Sequence, residues 1–394
     1  MAGPLQGIKV LDLSRILAGP WSTQVLADYG AEVWKIERPQ RGDDTRHWGP
    51  PYAKDKNGEP SEESAYYLSA NRGKKSVTVD ITTEAGQALI YQMVEEADIL
   101  VENYKVGGLK KYGLDYTTVK QRNPAIIYCS ITGFGQTGPY AQCAGYDAMI
   151  QAMGGLMSIT GEKDGEPGAG PQKVGVAVVD LMTGMYAVSG ILAALYHRVQ
   201  TGEGQHIDLA LLDTQVAWLA NQGSNYLVSG ELPKRMGTAH PNIVPYQAMK
   251  VKDGYILLAV GNDDQFSRCC DILGAPEIAT QPEFATNAQR VAHRHSLIPL
   301  LEALLEEQPL DVWLEKFSAA HVPCGPINTL DRVFDNEQVK YRKMQFDLQH
   351  PTLGTVPQVG NPVRFSKTPV EYNSAPPLLG QHTVEIINRL TKVK

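Results

Sequence analysis

The sequence predicts an α/β fold: a large domain on a Rossmann-like parallel sheet without a dinucleotide motif, plus a smaller α+β domain. Three observations carry that prediction. Short apolar runs alternate with helical periodicity through the first third of the chain, as βαβ units do. Those runs are continuously apolar, as in strands covered on both faces. The chain is 394 residues long, too long for one simple core, and the length prior is about two domains.

Taken in order, Ile8–Leu13 reads as a strand, Trp21–Tyr29 as a helix stopped by Gly30, and Ala31–Glu37 as a second strand. Ser76–Ile81 is a third strand. The helix after it repeats Ala85, Leu89, Met93 and Ala97 every four residues. Asp98–Glu102 and Ala125–Ile131 supply two more strands. The apolar stretch Val174–Tyr196 reads as a strand-like run passing into a helix-like one. After Gly202–Gln205, a glycine-rich turn, His206–Leu219 begins as a strand and continues as a helix. A polar loop (Gly230–His240), a strand–turn–strand stretch (Tyr246–Val260) and helices at His295–Glu307 and Leu310–Phe317 follow. A strand-like tail and a helix at Thr383–Leu390 close the chain. These elements divide into a large domain (1–205), a small α+β domain (225–325) and a C-terminal return to the large domain (330–394).

Composition narrows the function. Hydrophobic residues make up 43% and charged residues 20%, the balance of an ordinary globular protein. A net charge of −7 argues against nucleic acid as a partner, since such a protein concentrates positive charge. Five cysteines without a CxxC pair point to a reducing compartment. Cys324, between two prolines, reads as a structural thiol. The N-terminus lacks a basic region and an apolar signal core. Val174–Tyr196 has the length of a membrane span but carries Asp180, which is costly at bilayer depth. The expectation is a cytoplasmic protein with no membrane partner.

Phosphate-cradle motifs are missing. No GxGxxG follows the first strand, where Leu17-Ala18-Gly19-Pro20 stands instead, and no GxxxxGK[ST] occurs. His293 and His295 are two apart, so a helix would point them to different faces; no metal is expected.

Asp180 carries the chemistry that this reading finds. An aspartate before a helix is commonly an N-cap. Inside an apolar wall it is also a poorly hydrated anion near a helix N-terminus, and so a usable nucleophile. A second signal is basic. Lys35, Arg38, Arg72, Lys74, Lys75, Lys105, Lys110 and Lys111 fall at or near predicted strand ends or the loops beside them, where open α/β sheets bind ligands. Together they suggest a polyanion held by an acidic protein.

Several stretches match a known family in order: LDLSRILAGP, GAEVWKIERPQRGDDTRHWGPP, LSANRGKKSVTVDI, ADILVENYKVGGLKKYGLDY, IIYCSITGFGQTGP, AGYDAMIQAMGGLM, the Asp180 segment and PLLGQHT. Across essentially its whole length the chain resembles the family III (class III) CoA-transferases. KRMGTAHPNIVPYQAMKVKDGY is most similar to the succinate–hydroxymethylglutarate branch and its relatives that use oxalate.

The resemblance implies an interlocked homodimer and coenzyme A as substrate, with no permanently bound cofactor. It implies Asp180 as the catalytic residue. Arg38, Asn103, Tyr104 and Lys111 would be CoA contacts, with the Tyr146–Asp147 pair near the reacting thioester. The basic reading adds Arg72 and Lys75. A dicarboxylate acceptor needs a cation for its distal end, for which Arg46, Arg235 and His240 are the candidates. Leu17 stands where formyl-CoA transferase has a glutamine, which implies that backbone amides alone stabilise the oxyanion. Gly237-Thr238-Ala239-His240 replaces that enzyme's glycine-run loop.

The expected activity is CoA transfer from an acyl-CoA, succinyl-CoA first, to a dicarboxylate such as glutarate or hydroxymethylglutarate. Alternatives are acetyl-CoA or formyl-CoA with oxalate, α-methylacyl-CoA racemization, and a non-catalytic CoA-binding module. Tyr146 stands where the racemases carry a histidine, and a phenol is a poor α-proton base near neutral pH.

Overall fold

The computed structural model describes residues 3–392. The chain forms two compact units. The first comprises the chain up to Leu156, Lys173–Gly230, and the chain from Glu337 onward; the second comprises Met157–Gln172 and Glu231–Asn336.

In chain order the first unit holds β1 (Lys9–Asp12), β2 (Glu32–Glu37), a hairpin of β3 (Tyr52–Lys54) and β4 (Pro60–Ser64), β5 (Lys74–Thr78), β6 (Ile99–Glu102), β7 (Ile127–Thr132) and β8 (His206–Ala210). Six strands form one sheet in the order β5-β2-β1-β6-β7-β8, and each neighbouring pair is parallel. The chain runs outward from β1 through β2 to β5. It then returns to the other side of β1 as β6. The gap between β1 and β6 is therefore the topological switch point, where a crevice opens at the carboxyl ends of the strands.

Strand alternation builds a layer on each face. Val10, Val33, Ile99 and Ile127 pack against the helices Ala18–Asp28 and Val178–Thr201. Leu11, Trp34, Val77 and Leu100 pack against Glu84–Glu96, Tyr116–Arg122 and Thr383–Lys392. Fully burying one large apolar side chain contributes about 1.5–3 kcal/mol, so each layer is a substantial core.

Two local readings change. The buried residues of helix Glu84–Glu96 are Gly86, Ile90, Met93 and Val94, so the four-residue row is off the buried face at exposed Ala85 and half-buried Leu89 and joins it only at Met93 and Ala97. A 3.6-residue turn carries an i+4 row off the buried face. A Cβ at Gly86 would lie 1.9 Å from the Asp80 carbonyl oxygen, which only glycine avoids. Val174–Ala177 is irregular rather than a strand, and the helix runs from Val178 to Thr201 before Gly202 at φ 78°, a left-handed stop. By length and composition this helix could cross a membrane. Its Val179, Ala187, Val188, Ile191 and Leu195 pack on the sheet.

Two more strands, β12 (Gln345–His350) and β13 (Gly354–Val359), pair with each other in the first unit. The second unit has a three-stranded antiparallel sheet of β9 (Tyr246–Val251), β10 (Gly254–Ala259) and β11 (Cys324–Pro326), ordered β11-β10-β9. Helices Asp263–Ile272, Arg294–Leu305 and Leu310–Ala319 cover it, around Met249, Ile256, Leu258, Phe266, Leu301 and Phe317. Cys324 is half-buried on β11, and burial pushes its thiol pKa up, which suits a structural role.

Candidate active site

The site begins where β1 ends. Asp12 is fully buried and accepts hydrogen bonds from the Ser14 N–H (2.9 Å), the Thr23 hydroxyl (2.6 Å) and the Lys74 ammonium (3.2 Å). Burial opposes its charge most strongly, but Lys74, Lys35 and the hydrogen bonds from Ser14 and Thr23 together hold its pKa below the usual carboxylate value. Lys35, also fully buried, donates to Asp43 (2.8 Å) and to the Ser14 carbonyl (3.1 Å). Asp43 in turn accepts the Ile16 N–H at 3.3 Å.

Taking such charges out of water is costly, and here they hold one loop in place. Ile16 sits at φ 73°, a left-handed conformation that a β-branched residue adopts only under constraint. Asn103, just past β6, clamps the same loop across the switch point. Its side chain accepts the Arg15 N–H (2.9 Å) and donates to the Arg15 carbonyl (2.7 Å).

The pinned loop leads into helix Ala18–Asp28, whose N-terminus has no side-chain cap. The first amides of a helix lack intrahelical partners and carry its positive pole. Leu17 and Ala18 line a cavity of about 290 Å³, together with Asn103, Tyr104, Tyr146 and Asp180. Uncapped amides and a carboxylate therefore share one space.

Asp180 is the third residue of its helix, not its N-cap, and the N-cap position, Ala177, offers no side-chain bond. The capping comes from elsewhere. Asp147, at the start of helix Asp147–Met153, accepts the N–H of Val179 (2.8 Å) and of Asp180 (3.3 Å). Asp147 is within reach because Gly133 and Gly145 touch backbone to backbone: a Cβ on Gly145 would lie 2.5 Å from the Gly133 Cα. Burial, then the neighbouring Asp147 charge, push the Asp180 carboxyl pKa up to about 7. Tyr66 is close enough that Asp180 and Asp147, after burial itself, drive its phenol pKa up to about 12.

A second cavity of about 320 Å³ is lined by Arg38, Asp80, Lys111 and Tyr112, and shares Arg15, Tyr104 and Lys105 with the first. A long ligand could thus run from Asp180 past Tyr104 to Arg38 and Lys111. The far end holds extra cations and the near end the carboxylate, as a polyanionic carrier with a thioester tip requires. Among the described residues, no group of three or more His, Cys, Asp or Glu side chains could hold a metal ion.

Comparison with known proteins fits this geometry. Residues 5–383 match CoA-transferase family III. The chain belongs to CoA-transferase family III. The succinate–glutarate CoA-transferase of Agrobacterium fabrum is 49% identical over 392 residues, covering 99% of this chain and 96% of that protein. The human succinyl-CoA:glutarate CoA-transferase is 46% identical, covering 99% of this chain and 86% of that one. A crystal structure of a CAIB/BAIF family protein from Brucella suis superposes with a TM-score of 0.87 at 50% identity, covering 99% of this chain and 100% of that chain. The protein is a CoA-transferase enzyme, and the racemase and non-catalytic alternatives give way to that reading.

Within this CoA-transferase the expected site residues separate. Asp180, Asn103, Tyr104 and Tyr146 line the first cavity, Arg38 and Lys111 the second, and Asp147 braces Asp180. Arg72 does not join them: it is 5% exposed, bound to Asp28 at 2.6 Å and to the Val359 carbonyl. Lys75 does not either. Strand β5 starts at Lys74 rather than Ser76, which puts Lys75 toward the end of the sheet away from the cavities, paired with Glu32 and Glu385. Lys35 and Lys74 are interior props, not rim cations.

Arg46 is likewise spent. Its guanidinium is gripped by Glu37 at 2.8 Å and the Pro377 carbonyl at 3.0 Å, and it stacks 3.7 Å from the Tyr67 ring. Such a cation has no free face for an acceptor. Arg235 and His240 belong to the second unit; Arg235 pairs with Asp164, and His240 stacks on Tyr246.

Sequence reasoning passed over Arg15, Tyr66 and Cys143. Arg15 follows the first strand, the position where α/β ligand loops begin, and that rule would have found it. Cys143 lines the first cavity as an exposed thiol. Nothing in the sequence ties Tyr66 to Asp180, because a separate hairpin and helix deliver it.

Proposed function

We propose that this transferase moves CoA from succinyl-CoA to a dicarboxylate of the glutarate or hydroxymethylglutarate type, with Asp180 as a covalent relay. The observation that carries the relay is Asp180 itself: a half-buried carboxylate sharing a cavity with the uncapped start of another helix. The substrates rest on the relatives named above, which act on succinyl-CoA and glutarate.

In this reading the ionised Asp180 attacks the thioester carbonyl and expels CoA thiolate, forming a mixed anhydride. The thiolate attacks the Asp180 acyl carbon, leaving an aspartyl-CoA thioester and releasing succinate. The acceptor carboxylate then attacks that thioester, forming a new anhydride and freeing the thiolate again. Thiolate attack on the acceptor acyl carbon yields the product and restores Asp180. Dividing one exchange among four substitutions lowers each barrier. Oxyanions on the cavity side meet the amides of Leu17 and Ala18, and one preorganised donor is worth about 3 kcal/mol. Thioester replaces thioester, so no ATP is required.

CoA would lie along both cavities, with Arg38 near its adenine, Lys111 near its phosphates, and Tyr104 and Asn103 beside its arm. Arg235 and His240 stay candidates for the acceptor's distal carboxylate, and Arg15, in the cavity itself, joins them. A second copy would cover the exposed Tyr186, Tyr196 and Val199 on the Asp180 helix, as an interlocked homodimer in the cytoplasm. Light scattering on the purified protein at micromolar concentration would give twice the chain mass.

Incubation with succinyl-CoA and then hydroxylamine should leave a hydroxamate on residue 180 by peptide mass spectrometry. An unmodified Asp180, or full turnover by Asp180→Asn, overturns the relay. A panel of acyl-CoA donors against short mono- and dicarboxylates, including oxalate, tests the substrates.

A further inference from the structure

Gln151 lies outside the residues considered so far, yet it is fully buried and both ends of its amide are engaged. Its Nε2 donates to Asp147 Oδ2 at 2.6 Å, and its Oε1 accepts the Val174 N–H at 2.9 Å. Asp147 uses its other oxygen, Oδ1, for the amides of Val179 and Asp180. A continuous chain of bonds thus runs from the segment entering the Asp180 helix, through Gln151 and Asp147, back to the first turn of that same helix.

The arrangement is more than a cap. An ordinary N-cap is supplied by the residue preceding the helix; here Ala177 supplies none, and a carboxylate from another helix takes its place. That carboxylate accepts two N–H groups, and its charge lies beside Asp180, where it adds to the effect of burial. Like charges close together make the ionised form of the neighbour harder to reach and more basic once reached. A carboxylate nucleophile gains reactivity with basicity, so the neighbouring charge sharpens the attack while raising the pH above which it occurs.

We propose that Gln151 is a positioning residue for acyl transfer: it orients Asp147 so that this acid both caps the Asp180 helix and holds its charge beside the Asp180 carboxylate. The proposal rests on Asp180 being the acyl carrier. No contact between Gln151 and substrate is involved; it acts through Asp147 alone.

The test is a double-mutant cycle on the full-length enzyme, using Asp147→Asn, Gln151→Met and the double variant. For each, kcat/KM for succinyl-CoA is measured from pH 5 to 9, with a melting curve beside it. In the wild type, kcat/KM should rise with pH through about 7 as Asp180 ionises. Asp147→Asn removes the neighbouring charge, so the acid limb moves down by about one pH unit while the plateau falls. Gln151→Met should move the limb the same way and lower the plateau roughly tenfold, the loss of one charge-assisted hydrogen bond. The double variant should match Asp147→Asn, because Gln151 has no second route.

A limb that stays in place in Gln151→Met, with only a lower melting temperature, overturns the proposal and leaves Gln151 structural. An unmoved limb in Asp147→Asn overturns it too, and that arm suffices if Gln151→Met does not fold. Hydroxylamine trapping in each variant separates the two readings. A hydroxamate on residue 180 with unmoved limbs sinks this inference alone, whereas no hydroxamate in the wild type sinks the relay.

Discussion

Asp147 accepts the backbone N–H of Asp180 at 3.3 Å while its charge opposes ionisation of the Asp180 side chain. One carboxylate fixes another residue's backbone and destabilises its anion. The helix dipole favours an anion at this end, and Asp147 takes up the first amides. Burial is the larger cause of the raised pKa, and the Asp147 charge adds to it.

Asp180 should cost stability at alkaline pH. Its pKa rises from 3.8 to about 7 on folding, so the folded state binds more protons across that window. Stability then falls as pH increases through it. Asp180→Asn should therefore abolish turnover yet raise the melting temperature at pH 8, with little change at pH 4. Thermal melts at both values check this.

Glu102 makes the same argument away from the reaction. It is 5% exposed, and burial lifts its pKa to about 7 despite bonds from Ser130 and the Tyr104 N–H. Glu102→Gln should stabilise the enzyme above pH 7 by up to about 3 kcal/mol, at 1.36 kcal/mol per pH unit. The gain should vanish below pH 4.5. Urea titrations at pH 8 and pH 4 would show the difference.

Arg46 should matter for folding and not for acceptor choice. Removing it strands Glu37, which is 3% exposed, and breaking a buried ion pair costs about 3–5 kcal/mol. Arg46→Ala should lower the denaturation midpoint sharply, while the folded fraction keeps its KM for every dicarboxylate. A raised KM for one dicarboxylate alone would restore Arg46 to the acceptor site.

Arg15 should behave in the opposite way. Its side chain is 38% exposed, pairs with Asp44 at 3.1 Å and borders both cavities. A surface pair of this kind contributes about 0–1 kcal/mol. Arg15→Ala should raise the KM for the acceptor dicarboxylate roughly tenfold, about 1.4 kcal/mol, with the melting temperature nearly unchanged. Steady-state kinetics beside a melt would test both halves.

Gly133→Ala should inactivate by displacing Asp147. The new Cβ would lie 2.6 Å from the Gly145 Cα, and backbone cannot yield as a flexible side chain can. The segment carrying Tyr146 and Asp147 would shift, so kcat should fall by at least about tenfold, since small misplacements in a site are expensive. Single-turnover measurements would show the loss in acyl transfer itself.

Much of the architecture is legible along the chain. Apolar strands such as Ile99–Glu102 and the presence of helix Glu84–Glu96, though not the exact face it buries, are local, and periodicity survives in sequence. Asp180 is legible as well, being an acid in an otherwise apolar run. Hairpin β3–β4 and the short helix Asp147–Met153 carry no such period, and they passed unread although they deliver Tyr66 and Asp147 to Asp180.

What the sequence by itself determined is the layered α/β core, the family and the presence of an acid, Asp180, in an otherwise apolar run, because hydrophobic period and ordered motifs are properties of neighbours in the chain. Only the tertiary structure decided which cations are free. Arg15 and Arg72 look equivalent in sequence; Arg72 is neutralised by Asp28, 44 positions away, and Lys74 by Asp12, 62 positions away. The raised pKa of Asp180 was decided the same way, by burial first and then by an aspartate 33 residues earlier. Electrostatic interaction and desolvation depend on distance through space and on depth from water, and the order of residues along a chain encodes neither until it folds.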